Sequence, residues 1–118
     1  MYSQCGPRLR VAEKFHAFAD KVPEHFERDM GYNEKEFFRV LPAAIGDYQF
    51  SVTSDTVHIS HPENDQALEL RITPLPDRRL GLIRIQHIDV LFTFSGMNED
   101  QRNQFMHRFD RRFQRGGG

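Results

Sequence analysis

Four arginines close to the C-terminus have a spacing that could bind a negatively charged ligand. Arg108, Arg111, Arg112 and Arg115 follow one another at intervals of one to three residues, in a segment whose phenylalanines recur every four residues. At 100° per residue, the four arginines fall within about 100° of one another on one face of a helix. A guanidinium group binds phosphate through forked hydrogen bonds. This face is therefore a candidate site for phosphate or nucleic acid.

A second interpretation of the same arginines needs no ligand. Glu99 and Asp100 stand at the predicted start of this helix and the arginines at its end, an arrangement that the helix dipole favours. The phenylalanines of this segment fall on a different face of the helix, so no aromatic residue stands among the arginines to stack on a base, as binding of single-stranded nucleic acid requires. The composition therefore favours a solvated helix end, and nucleic-acid binding is the alternative.

His87 and Asp89 form a second candidate site. They flank Ile88 in a segment with the alternating pattern of a β-strand, so both point to one face of a sheet. A carboxylate beside an imidazole can fix its tautomer and raise its basicity, which suits acid–base chemistry. A pair of this kind is also common on an ordinary polar surface.

The segment around His87 changes its alternation. Ile83 and Ile85 are apolar at odd positions, whereas Ile88 and the apolar residues after it are at even positions. In a regular strand, apolar residues at odd and at even positions point to opposite faces, so a switch between them would turn apolar side chains outward. We therefore expect a β-bulge or bend at Gln86–His87 that resets the register. Bulges often lie beside active sites, and an enzyme with its site at this bend is a further alternative.

Other catalytic and metal-binding signatures are missing from the sequence. It contains no Gly-x-Ser-x-Gly elbow, no glycine-rich phosphate loop, no dinucleotide fingerprint and no His-Glu-x-x-His pair. Cys5 is the only cysteine, which excludes an intramolecular disulfide and a cysteine zinc site. His58 and His61 are three apart on a predicted strand and so point to opposite faces. We therefore expect neither a metal nor a cofactor.

Composition indicates one ordinary globular domain. The chain has 118 residues, a formal net charge of −1 and 28% charged residues, which is typical neither of a strongly basic nucleic-acid binder nor of an acidic tail. We expect a single domain over residues 1–118, flexible at 1–7 and 116–118. No apolar segment is long enough for a signal peptide or a membrane span, so we expect a cytoplasmic protein without a membrane partner.

The apolar periodicity predicts an α+β fold. Helical spacing covers residues 8–30, with a kink at Pro23 or two helices that meet near Lys21. A capping box at Asn33 and Glu36 begins a helix over 34–41. Alternating patterns predict four strands joined by turns at 54–55, 62–66 and 74–79, and helical spacing returns over 98–114. We expect a four-stranded antiparallel β-meander with the N-terminal helices and the C-terminal helix on one face. The sheet residues expected to be buried are Tyr48, Phe50, Val52, Val57, Ile59, Leu68, Leu70, Ile72, Ile85, Ile88, Val90, Phe92 and Phe94.

The ending of the chain resembles a known group of sequences. The run Phe109-Asp110-Arg111-Arg112-Phe113-Gln114-Arg115-Gly116-Gly117-Gly118 is similar to that of a family of small uncharacterised bacterial proteins, and the likeness extends back to about Leu75. The resemblance implies an intact fold and a bacterial origin, and it implies no chemistry. Because catalytic and cofactor-binding motifs are missing, the sequence favours a non-enzymatic accessory or binding protein. Its partner would be an unidentified protein or a second copy of the chain.

Overall fold

A computed structural model describes the backbone of residues 21–116 and the side chains from Lys21 to Gln114. Within this part the chain forms one antiparallel sheet and two α-helices, which agrees with the predicted α+β class. The elements in chain order are β1 (His25–Met30), α1 (Glu34–Ile45), β2 (Gln49–Thr53), β3 (Thr56–Ser60), β4 (Ala67–Leu80), β5 (Ile83–Ser95) and α2 (Glu99–Gly116).

The sheet has five strands rather than the predicted four. Its order is β1-β5-β4-β3-β2, so β2 to β5 form the expected meander and β1 pairs with the far side of β5. The prediction of a helix was wrong for residues 21–30, of which residues 25–30 form β1 and residues 21–24 belong to no helix. The apolar spacing misleads because residues four apart share a face in both structures, being close to one turn of a helix and two repeats of a strand. Phe26 and Met30 are four apart and lie on one face of a strand as well as of a helix. The rest of the predicted N-terminal helix, residues 8–20, lies outside the described residues.

Both described helices begin as their sequences predict. The side chain of Asn33 accepts a hydrogen bond from the Glu36 amide at 2.8 Å. Asn98 and Gln101 exchange side-chain-to-backbone hydrogen bonds of 2.9 Å, which forms a complete capping box at the start of α2. Helix α1 continues through Pro42 to Ile45, although it was expected to end at Leu41. Burial of its last turn against the core offsets the hydrogen bond that proline cannot donate.

The core lies between the two helices and one face of the sheet. Phe105, Phe109 and Phe113 of α2 pack against one another and against the sheet, where Phe109 meets Phe92 edge-to-face at 5.5 Å. Phe37 of α1 stacks on Phe113 at 5.1 Å, which joins the two helices. The central strands contribute the residues whose burial was predicted correctly: Val57, Ile59, Leu68, Leu70, Ile72, Ile88, Val90, Phe92 and Phe94.

Some of the predicted core positions are not buried. Phe50 and Val52 point to the core side of β2 but are 38% and 50% exposed, because β2 lies at the end of the strand order. Tyr48 and Ile85 are only half-buried. None of the helices in residues 21–116 has the length and apolar character needed to cross a membrane.

The predicted turn at 74–79 is a continuation of β4. The strand runs through Pro74 and Pro76 to Leu80, and the chain reverses at Gly81-Leu82, with Gly81 at a φ of +63°. Proline is accepted here because, among the described residues, only β5 pairs with this part of β4, so no second ladder needs its N–H.

An irregularity lies where the change of parity predicted it, but the extra residue is on the other strand. Between Leu75 and Arg78, β4 places two residues opposite the single Gln86 of β5. Strand β5 therefore keeps its own alternation. As a result Ile85 lies on the face opposite to Ile88, and the expectation that the bulge would return it to the core was wrong.

Candidate functional site

The outer side of α2 has an open groove of about 400 Å³. It is lined by His107, Arg108, Arg111 and Arg112, which include three of the four arginines selected from the sequence. The side chain of Arg115, the fourth, lies outside the described residues. The three arginines are exposed, whereas Phe105, Phe109 and Phe113 on the opposite side of the helix are buried. Packing of the phenylalanines thus sets the rotation of α2 and turns the arginines outward.

Two contacts position the arginine side chains that line the groove. Arg111 donates from Nη2 to Nε2 of His107 at 3.0 Å, one helical turn away. A guanidinium can only donate, so Nε2 of His107 is the acceptor and its ring proton lies on Nδ1. The guanidinium of Arg108 lies over Gly46, at the C-terminal end of α1. The carbonyl end of a helix carries partial negative charge, which favours a cation at this place.

The positive charge of the groove has no acidic partner among the described residues. Carboxylates pair with Arg28, Arg78 and Arg102 elsewhere in residues 21–114, whereas none of the three arginines that line the groove forms such a pair there. Asp110 is the only carboxylate in residues 107–114. It pairs with Arg28 of β1 on the sheet side of α2.

Burial of that pair changes the acidity of Asp110. Desolvation raises the pKa of Asp110 above its ordinary value, although the Arg28 guanidinium acts to lower it. The carboxylate of Asp110 thus pairs with Arg28 rather than with an arginine of the groove, and it is partly buried. A locally positive surface therefore lies on a chain whose formal net charge is −1.

His87 and Asp89 lie on the sheet face opposite the helices, and β1 completes their surroundings. Asp29 of β1 is directly opposite Asp89 across the ladder. Nδ1 of His87 is 3.0 Å from each carboxylate oxygen of Asp29, and Nε2 is 2.9 Å from the carbonyl oxygen of Pro76. The sequence-based prediction missed Asp29, because it assigned residues 25–30 to a helix. The alternation of His25, Glu27 and Asp29 is the signal that could have shown it.

The contacts of His87 indicate a structural role. Each of its ring nitrogens contacts a hydrogen-bond acceptor of the protein, the Asp29 carboxylate on one side and the Pro76 carbonyl oxygen on the other. The side chain is only 11% exposed and neither nitrogen is left to exchange a proton with a substrate. His87 connects β1 to the bulge of β4 at Pro76. This geometry favours a brace for the bulge over a catalytic base.

Asp89 is the most strongly perturbed carboxyl group in the described part of the chain. Its pKa is raised to about 7, chiefly by burial and further by the hydrogen bond to Glu27 and the charges of Glu27 and Asp29. Asp89 is therefore protonated below neutral pH and donates to Glu27. Although acidic residues gather here, residues 21–116 contain no group of three or more His, Cys, Asp or Glu side chains arranged to hold a metal ion.

Comparison with protein-family models, with curated proteins and with solved structures found no match for this chain. The resemblance of the C-terminal run to a bacterial family therefore stays a prediction. What the chain does must be inferred from the two sites described above. Of the two, the α2 groove offers charged groups that are accessible to a ligand.

Proposed function

We propose that this protein is a non-enzymatic binding protein and that its α2 groove holds ligands that carry phosphate groups. One observation carries the proposal: Arg108, Arg111 and Arg112 line a single groove, and no carboxylate among the described residues neutralises them. Guanidinium groups favour phosphate because their planar donors match two of its oxygens at once.

The spacing within the groove supports binding of more than one phosphate group. Arg108 and Arg112 are one turn apart, which separates their Cα atoms by about 6 Å along the helix axis. Arg111 is adjacent to Arg112, and its contact with His107 restrains its side chain. A ligand with neighbouring phosphates, such as a nucleoside polyphosphate or a nucleic-acid strand, could contact several of these cations together.

The geometry around His87 and Asp89 does not favour catalysis. A catalytic base needs a ring nitrogen or carboxylate that can reach a substrate. Both nitrogens of His87 already contact protein oxygens. Asp89 shares its proton with Glu27. An enzyme at the Gln86–His87 bend is therefore the weaker alternative.

The test is a salt titration of binding to fluorescent mixed-sequence RNA and single-stranded DNA. Each neutralised phosphate releases counterions, so three contacts give a log–log slope of about −2 to −3. Arg111→Gln with Arg112→Gln should weaken binding at least about tenfold and flatten the slope by roughly one to two units. Lys35→Gln with Arg71→Gln removes the same charge from exposed positions outside the groove and serves as the control.

Competition separates the two possible ligand sources. If a nucleoside triphosphate displaces the labelled strand and itself binds at one molecule per protein chain, the groove is a small-molecule site. Affinity that rises with strand length indicates a nucleic-acid site. Absence of binding to both at about 50 mM salt, or equal losses in the groove variant and the control variant, would reject the proposal.

A further inference from the structure

The hairpin formed by β4 and β5 extends beyond the rest of the sheet. Strand β1 pairs with β5 over residues 88–93, and β3 pairs with β4 over residues 67–71. Residues 75–87, here named the hairpin arm, are paired only with each other among the described residues. A two-stranded ribbon has little stability of its own in water. At the end of the arm nearest the sheet, the His87 ring contacts both Asp29 of β1 and the Pro76 carbonyl oxygen of β4.

The tip of the arm is apolar and exposed. Leu82 is fully exposed, and Leu80 and Ile83 are 61% and 63% exposed, directly opposite each other across the ribbon. Together they form most of the large exposed hydrophobic surface in the described part of the chain, with Phe50 and Val52 on a separate edge. A convex apolar tip that projects from a domain is typical of an interaction site.

A pair of arginines lies immediately behind the tip. Arg79 and Arg84 are directly opposite each other across the ribbon, and both are exposed. Like charges in this position destabilise a hairpin, and an anion shared between them would relieve the repulsion. Arg78, the third arginine of the arm, is 3.3 Å from Asp29. Asp77 is the only acidic residue of the arm.

We propose that the hairpin arm docks on an anionic lipid surface. Leu80, Leu82 and Ile83 enter the boundary between headgroups and acyl chains, and Arg79 and Arg84 bind the lipid phosphates behind them. A strand rises about 3.3 Å per residue, which places the arginine pair roughly 3–7 Å behind the tip. Interfacial segments insert to about 5–10 Å, so this separation fits the headgroup layer. Anionic lipids attract basic residues near their surface.

This proposal changes one expectation drawn from the sequence. The expectation of no membrane partner was based on the absence of a segment long enough to span a bilayer. A hairpin tip that enters only the interface needs no such segment. The proposal is independent of the α2 groove, since the two sites share no residue.

The experiment is sedimentation of the full chain with large vesicles. One set is phosphatidylcholine and the other contains phosphatidylcholine with about a third phosphatidylserine, because the surface potential depends on the anionic fraction. The wild type should sediment with the anionic vesicles and much less with the neutral ones. Leu82→Ser with Ile83→Ser should weaken this binding at least about tenfold, from the loss of apolar burial. Arg79→Gln with Arg84→Gln should weaken it about tenfold or more and reduce its salt dependence.

Control variants make the result decisive. All four substituted positions are exposed, so the circular dichroism and unfolding midpoints of the variants should match those of the wild type. Arg111→Gln with Arg112→Gln should leave vesicle binding unchanged, which distinguishes the arm from the groove. No sedimentation of the wild type, or equal binding by the wild type and both arm variants, would overturn the proposal. Loss of nucleic-acid binding in the arm variants without any vesicle binding would assign the arm to nucleic acid instead.

Discussion

The guanidinium of Arg108 lies directly over Gly46, at the point where α1 ends. A Cβ atom at residue 46 would stand 2.5 Å from Cζ of Arg108, closer than any side chain allows. Gly46 also has a φ of +63°, and its amide donates to the carbonyl of Pro42 at 3.2 Å. A single glycine thus ends one helix and makes space for a cation of the other.

Replacing this glycine tests both functions together. Gly46→Ala should lower the free energy of unfolding by about 1–2 kcal/mol, because alanine is strained at a positive φ. It should also displace Arg108 and weaken phosphate binding in the groove. Urea unfolding and the strand-binding titration measure the two effects. Gly31→Ala is the control, since nothing lies within 4 Å of the added Cβ and no positive φ is present. Equal stability of the two variants would contradict this explanation.

The phenylalanine stripe of α2 should account for a large part of the stability. Phe109 is fully buried and packs against Phe92, Phe105 and Phe113. Phe109→Ala should cost about 3–5 kcal/mol, through lost burial and the cavity that remains. Phe50→Ala, at a position 38% exposed, should cost about 1 kcal/mol. Denaturant unfolding measures both, and a loss below about 1 kcal/mol for Phe109 would mean that α2 docks weakly.

Asp89 should make the stability of the fold depend on pH. Its pKa rises from 3.8 in the unfolded chain to about 7 in the fold, so the folded state keeps a proton that the unfolded state has lost between these values. Stability should therefore fall as the pH rises from about 4 to about 7. Asp89→Asn keeps a donor toward Glu27 without a charge and should remove most of this decline. At pH 8 the variant should be more stable by about 1 kcal/mol, a value reduced for solvent screening.

Unfolding in urea at pH 5 and pH 8 measures this dependence. Asp77→Asn, on an exposed part of the hairpin arm, serves as the control and should keep the pH dependence of the wild type. A wild-type stability that rises across this range, or an Asp89→Asn variant less stable than wild type at pH 8, would contradict the prediction.

The turn between β2 and β3 carries a strained residue. Ser54 has a φ of 58° and is the only residue other than glycine with a positive φ in residues 21–116. Ser54→Gly should stabilise the fold by about 0.5 kcal/mol, because relief of the left-handed conformation exceeds the greater freedom of glycine in the unfolded chain. Ser60→Gly, within β3, should destabilise it instead. Thermal unfolding compares the two, and a lower midpoint for Ser54→Gly would disprove the prediction.

Elements specified by neighbouring residues could be predicted from the sequence. The capping hydrogen bonds at Asn33 and Asn98 involve residues three positions away, and the alternation of Leu68, Leu70 and Ile72 shows which face of β4 is buried. Each of these features depends only on residues that lie within a few positions of one another in the sequence. Local propensity and periodicity are sufficient to specify them.

The arginine stripe was also evident in the sequence, because helical angle alone places Arg108, Arg111 and Arg112 on one face. The absence of a carboxylate beside them was not evident. Asp110 lies between them in the sequence but turns to Arg28, a residue of β1 that is far away along the chain. Only the packing of α2 on the sheet decides which of these charges remain available.

The sequence by itself determined where the two described helices begin, the order of the strands from β2 to β5 and which face of the central strands is buried. Tertiary structure alone decided that residues 25–30 are a strand, because a four-residue interval fits both a helix and a strand until a partner supplies hydrogen bonds. Strand β5 is that partner, and it brings Asp29 to His87 across 58 residues. The same pairing leaves the hairpin arm without a third strand. Contacts between residues so far apart depend on how whole elements pack, and no local pattern of side chains specifies that.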